Sequence, residues 1–259
     1  MQVIRAREMG FCFGVRRAVE LMEIEARDGR PIASLGSVVH NPQVVGRLRD
    51  QGVDVVTTVD AVADRRLAIT AHGVGPTVLD DARARGLDVV DTTCPIVTRA
   101  QQWAKRLLED GFAVIVFGDP DHKEVRGILG WARGKAISLR SEAEIDTLPD
   151  SLPSKVGVLV QTTHTEARFA AFVNALLQKR LHRISELRVI NTLCNATTGQ
   201  QAAALELART GDAWVVGRRE EARQHRHLAE ICREAGVLHH HVETATEIGQ
   251  RLPAWRGWG

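Results

Sequence analysis

Four cysteines lie far apart in this chain, at Cys12, Cys94, Cys194 and Cys232. Thiolates act as nucleophiles or as ligands for soft metals. Two of them sit inside segments that resemble each other, VVDTTCPIVTRAQ (89–101) and VINTLCNATTGQQ (189–201). Val, an acidic or amide residue, Thr, Cys, Thr and Gln hold the same offsets in both. Cys12, Cys94 and Cys194 are each followed, 24, 24 and 23 residues on, by Gly36, Gly118 and Gly217. Four residues past each glycine stand His40, His122 and Glu221. Three such units packed about an axis bring three thiolates together, which suits a soft metal or an iron–sulfur cluster. A structural zinc site normally shows paired C-x2-4-C ligands, and no such pair exists here. Three ligands on a four-iron cluster leave one iron without protein sulfur, open to a substrate oxygen as a Lewis acid while the cluster supplies electrons. Cys232, in LAEICREAG, has no partner in the repeat and reads as packing.

The elements that must position these thiols are short apolar runs alternating with helical patterns. PIASL, DVVTT, LAIT, LDVVDT, FAVIVFG, AISL, VGVLVQ, LRVIN, AWVVG and LHHHV read as strands. Between them, GVRRAVELMEIEARDG and TEARFAAFVNALLQKRL carry a 3.6-residue period. Such alternation predicts an α/β fold with mostly parallel sheets and ligands at the carboxyl ends of the strands, where the three cysteines fall. Pro95 suits a first helical position directly after Cys94. The threefold repeat divides the chain into units at 13–93 and 94–190, with a third, incomplete unit from 1–12 plus 191–259. A strand before Cys12 is expected to complete the third unit. HHH at 239–241 alternates across a strand and reads as no metal site.

A net charge of +2 gives no long-range field toward nucleic acid or a membrane surface, and RQHRH (223–227) reads as a solvated helix face. No apolar run approaches the ~20 residues that span a bilayer, and MQVIRAREMGFC lacks a signal-peptide core. A cytoplasmic protein is expected, a monomer or weak dimer whose partners are small molecules and not nucleic acid or membrane.

The segments GFCFGVRRAVE, VVHNPQVVGRL, AHGV, DTTCPIVT, GDPDHKEVRG, VQTT and NTLCNATT, in this order over about residues 9 to 217, resemble the LytB-type family of hydroxymethylbutenyl diphosphate reductases. The resemblance implies a trefoil of three pseudo-symmetric α/β units around a central 4Fe-4S cluster with one iron not ligated by protein. It implies reductive loss of an allylic hydroxyl, with ferredoxin or flavodoxin as electron donor. Position by position, it makes Cys12, Cys94 and Cys194 the cluster ligands and Glu124 the proton donor to the leaving hydroxyl. It places His40, His72 and His122 around a substrate diphosphate and Thr162 beside the substrate hydroxyl, with Thr163 next to it. The chemistry asks for these types: a hydroxyl leaves when protonated or metal-bound, and imidazolium groups hold an anion.

The segment after AWVVG departs from the family. The family carries Ser-Ser-Asn there, where this chain reads GRREEARQHRHL with Glu221 in place, and the chain ends in RLPAWRGWG before a further family serine. A carboxylate at 4 Å from a phosphate charge costs about 4 kcal/mol before screening. The leading expectation is therefore a LytB-like reductase acting on a substrate other than the usual diphosphate, contacted by Glu221. Ordinary reduction of the diphosphate to isopentenyl and dimethylallyl diphosphate is the alternative. A non-redox iron–sulfur enzyme or a cluster-based sensor is a further one.

Overall fold

The computed structural model describes residues 4–39, 41–63, 66–209, 213–217, 233, 236, 238–242 and 247. The chain divides into two compact units, Phe11–Cys194 and a second made of Met1–Gly10 with Asn195–Gly259.

The first unit contains two four-stranded parallel sheets. In the first, strands β1 (Ile32–Leu35), β2 (Val53–Val56), β3 (Arg66–Ile69) and β4 (Asp88–Asp91) lie in the order β2-β1-β3-β4. In the second, β5 (Ala113–Phe117), β6 (Ile137–Leu139), β7 (Lys155–Val160) and β8 (Glu186–Ile190) repeat that order as β6-β5-β7-β8. All pairings are parallel. In the second compact unit, β9 (Ala213–Gly217) and β10 (Leu238–Val242) pair in parallel, like β1 with β2. An N-terminal strand is not among the described elements. Residues 4–12 are irregular, as befits the charged run RARE followed by Gly10 at φ 82°.

Strands buried on both faces must be apolar at every position. In β5, Ile115 and Phe117 point to one core with Phe172, and Val114 and Val116 point to the other with Ala104 and Leu107. Helices supply the covering faces: α1 (Phe13–Ala26) and α2 (Pro42–Asp50) on one side of the first sheet, and α3 (Pro76–Ala84) on the other. Helix α4 (Pro95–Glu109) and α5 (Lys123–Trp131) cover one side of the second sheet, and α6 (Glu166–Arg180) covers the opposite side. Helix α7 (Asn195–Ala208) follows Cys194.

The two sheets merge into one compact unit because α3 and α5 meet through glycines. A Cβ on Gly130 would lie 2.8 Å from the Gly75 Cα, and Trp131 Nε1 donates to the Val74 carbonyl at 3.0 Å. Among the described residues, no helix is long and apolar enough to cross a membrane.

One buried cation fastens the start of β3 to the end of α1. Arg66 is 5% exposed; Nη1 donates to the Glu25 carbonyl (3.2 Å), Asp28 Oδ1 (3.3 Å) and the Arg30 carbonyl (3.4 Å), and Nη2 pairs with the Glu25 carboxylate. Removing it leaves those carbonyls and carboxylates short of a donor. Arg66→Ala is expected to lower stability by roughly 2–3 kcal/mol, less than for a fully buried pair because its partners are part-exposed. A lowered urea midpoint at unchanged slope would show it.

Candidate functional site

The residues shared by the two cysteine segments brace the loops that carry the thiols. After β4, Asp91 Oδ1 accepts the Thr93 N–H at 2.9 Å, and the Thr92 hydroxyl donates to the Ile69 carbonyl at 2.5 Å. After β8, Asn191 Oδ1 accepts the Leu193 N–H at 3.0 Å, and the Thr192 hydroxyl donates to the Val160 carbonyl. The cysteine N–H then closes each loop: Cys94 donates to the Ala71 carbonyl (3.0 Å) and Cys194 to the Thr162 carbonyl (2.9 Å). An Asx turn followed by a threonine tied to the neighbouring strand is the physical content of the shared Asp/Asn-Thr-x-Cys pattern.

Each thiol stands where a helix begins. Cys12 and Cys94 are the N-caps of α1 and α4, and Cys194 immediately precedes α7. Backbone N–H groups at a helix start favour a thiolate. Burial pushes the Cys94 thiol up, the Ile96 and Val97 N–H groups work against that, and the charges of Cys194 and Cys12 push it up further. Cys94 is thus near enough to feel both of the other thiols. None is in a disulfide. Cys94 also touches α1, since a Cβ on Gly14 would collide with its sulfur and lie 3.1 Å from its Cβ. Among the described residues, no group of three His, Cys, Asp or Glu is gathered as ligands of one metal ion. A multi-iron cluster, in which each thiolate takes its own iron, asks for wider spacing, and an all-thiol donor set is the one such clusters use. The residues present fit that group.

A second constellation surrounds a buried carboxyl. Glu124, in the first turn of α5, is 2% exposed; Oε1 accepts the Thr162 N–H and Oε2 the Thr162 hydroxyl, both at 2.8 Å. The half-buried His122 caps the same helix, its Nδ1 accepting the Glu124 N–H at 3.2 Å. That bond puts the proton of the neutral ring on Nε2. The His72 ring lies edge-on to His122 with centroids 5.6 Å apart. Thr163 follows, half-buried.

The structure therefore brings together Glu124, Thr162, His122 and His72, and links them to Cys194 through Thr162. His40, Glu221 and Cys232 lie outside the described residues, as does most of GRREEARQHRHL. Gln161 escapes a reading by residue type. It is 0% exposed, accepts the Asp119 N–H at 3.2 Å, and sits so close to Gly118 that a Cβ there would lie 2.9 Å from its own Cβ. Its only sequence signal is a polar residue ending the apolar run VGVLV. The repeated glycines have different causes: Gly118 gives room to Gln161 and Val125, whereas Gly36 turns at φ 85°.

Parallel α/β repeats with three thiols at helix starts and a buried carboxyl one residue's bonds from Cys194 suit an iron–sulfur oxidoreductase of the α/β class. The model of the family described as LytB protein matches residues 3–256. A 4-hydroxy-3-methylbut-2-enyl diphosphate reductase of Dehalococcoides mccartyi (strain CBDB1) is 42% identical over 248 residues, 96% of this chain and 87% of that protein. One from Geobacter metallireducens is 39% identical over 256 residues, 98% of this chain and 87% of that protein. Among solved structures, the E-1-hydroxy-2-methyl-but-2-enyl-4-diphosphate reductase of Plasmodium falciparum superposes with a TM-score of 0.85 at 25% identity, covering 94% of this chain and 76% of that one. A structure of (E)-4-hydroxy-3-methyl-but-2-enyl diphosphate reductase, described as the terminal enzyme of the non-mevalonate pathway, gives 0.73 at 32% identity, covering 98% and 89%. The chain belongs to the LytB family.

Gly14 offers a direct test of the thiol geometry. Alanine is the better helix former by about 1 kcal/mol, so Gly14→Ala would stabilise α1 if nothing opposed it. The collision with Cys94 predicts the reverse outcome at the site: a folded protein whose iron content after anaerobic reconstitution falls well below that of the parent, measured per chain.

Proposed function

We propose that this chain reduces 4-hydroxy-3-methylbut-2-enyl diphosphate, replacing its allylic hydroxyl by hydrogen to form isopentenyl and dimethylallyl diphosphate. The overall change takes up two electrons and two protons and releases water. The contact that carries the proposal is the buried Glu124–Thr162 pair, one backbone hydrogen bond from Cys194. The names of the relatives support the usual diphosphate over another substrate. The family match runs through GRREEARQHRHL to residue 256, so the departure at Glu221 does not set the chain apart from that family.

Cys12, Cys94 and Cys194 would hold a 4Fe-4S cluster with one iron not ligated by protein. Such a cluster supplies electrons one at a time and a Lewis-acidic site for an oxygen; ferredoxin or flavodoxin would deliver the electrons. The protein supplies the protons. Glu124 in its protonated form donates to the Thr162 hydroxyl, whose own proton is then free to turn toward the departing hydroxyl. In the deprotonated form the Thr162 N–H and hydroxyl hold the carboxylate, which offsets its desolvation. His122, with Nδ1 used as the helix cap, presents Nε2–H to an anion, and His72 beside it adds a second imidazole. His40 and Thr163 complete the substrate contacts.

Glu124→Gln keeps the shape but has no proton to release. Its kcat is expected to fall by about 10²–10⁴-fold, with KM changed little and iron content unchanged. The decisive assay gives the reconstituted protein the diphosphate and dithionite or reduced flavodoxin without oxygen, with iron and sulfide counted in the same sample. Four irons per chain and electron-dependent product support the proposal. Four irons with no turnover would sink the substrate assignment, and product without electron consumption would replace reduction by a non-redox reaction.

A further inference from the structure

Each helix that begins beside a cysteine sends a donor to the loop in front of the next one. Arg17, five residues past Cys12, donates from Nη1 to the Thr93 carbonyl at 3.2 Å, one residue before Cys94. Arg99, five residues past Cys94, donates from Nη2 to the Asn191 carbonyl at 3.2 Å, three residues before Cys194. Gln200, six residues past Cys194, donates from Nε2 to the Gly10 carbonyl at 2.9 Å, two residues before Cys12. The three contacts share one logic in three unlike sequences, although nothing in the residue types announces it.

The charge on the first two is more than a carbonyl needs. A neutral amide makes the same bond, as Gln200 does. Arg30, Arg47, Arg66, Arg85, Arg140, Arg180 and Arg188 all pair with carboxylates. Among the described residues, Arg17 and Arg99, like several exposed arginines, pair with no carboxylate; these two differ in being bonded to the loops that carry thiols. Three thiolates are negative, and a cation one to three residues away from a ligand lowers the cost of gathering them.

We propose that Arg17, Arg99 and Gln200 are positioning residues for the iron–sulfur cluster: each holds the loop of the next thiol ligand in register, and the two guanidinium groups offset the negative charge gathered there. The proposal rests on the thiols holding a cluster. Removing a cation destabilises the more negative, reduced cluster, so the reduction potential moves to a more negative value.

The test uses the full chain, reconstituted anaerobically, as Arg17→Met, Arg99→Met, the double variant, Gln200→Ala, and Arg99→Lys. Circular dichroism and the thermal midpoint of the iron-free proteins separate folding from loading. The exposed Arg99 gives a variant that folds even if changes at Arg17 are not tolerated. Cluster half-life in air is expected to shorten about tenfold in the double variant and about threefold in Arg17→Met, Arg99→Met and Gln200→Ala, on the scale of one lost hydrogen bond each. The potential should fall in the arginine variants, stay near the parent value in Gln200→Ala, and be restored by Arg99→Lys. Parent-like half-life and potential in folded Arg99→Met and in the double variant would overturn the proposal. A wild-type chain that takes up no iron would instead overturn the cluster on which it rests.

Discussion

Thr162 is the residue on which the site depends. Its carbonyl accepts the Cys194 N–H at 2.9 Å, and its own N–H and hydroxyl hold both oxygens of Glu124 at 2.8 Å. One residue thereby fixes the distance between a thiol and a buried carboxyl. The arrangement exists because β7 ends at Val160 between β5 and β8, so the next two residues leave the sheet at the point where α5 starts and the Cys194 loop returns. A carboxyl that is 2% exposed tolerates its burial only with such partners.

The two sheets show how one scaffold carries two chemistries. Strand order and cysteine braces are the same in both, down to the amide of each cysteine bonding the second residue past its neighbouring strand. The residue receiving that bond is Ala71 in one copy and Thr162 in the other. The next position is His72 in one and Thr163 in the other. Backbone hydrogen bonding is indifferent to these side chains, which leaves them available for function. His72 from the first sheet and His122 from the second then meet edge to edge, at the seam that the glycines of α3 and α5 allow.

The Cys94 thiol sits between opposing influences. Burial disfavours the Cys94 thiolate, helix-start amides favour it, and the other two thiolates disfavour it again. A metal centre bound there would resolve that conflict by supplying positive charge.

Much of this was legible from residue order alone. Each apolar run read as a strand, from PIASL to LHHHV, forms one, because apolar content and short length are local properties that a parallel sheet buried on both faces requires. The likeness of the first two copies, seen in the two sheets of the same strand order, was equally visible, since the equal offsets from Cys12 to Gly36 and from Cys94 to Gly118 need no coordinates. The strand expected before Cys12 is absent from residues 4–12, where charge and a left-handed glycine oppose extension. Only the tertiary structure decided that Glu124 closes on Thr162, 38 residues away, that His122 spends one ring nitrogen on a helix cap, and that Arg17 and Arg99 reach loops 76 and 92 residues distant. Periodicity reports which face of an element is buried. It carries no information on which two distant polar groups meet, because that depends on how strand ends and helix starts converge in space.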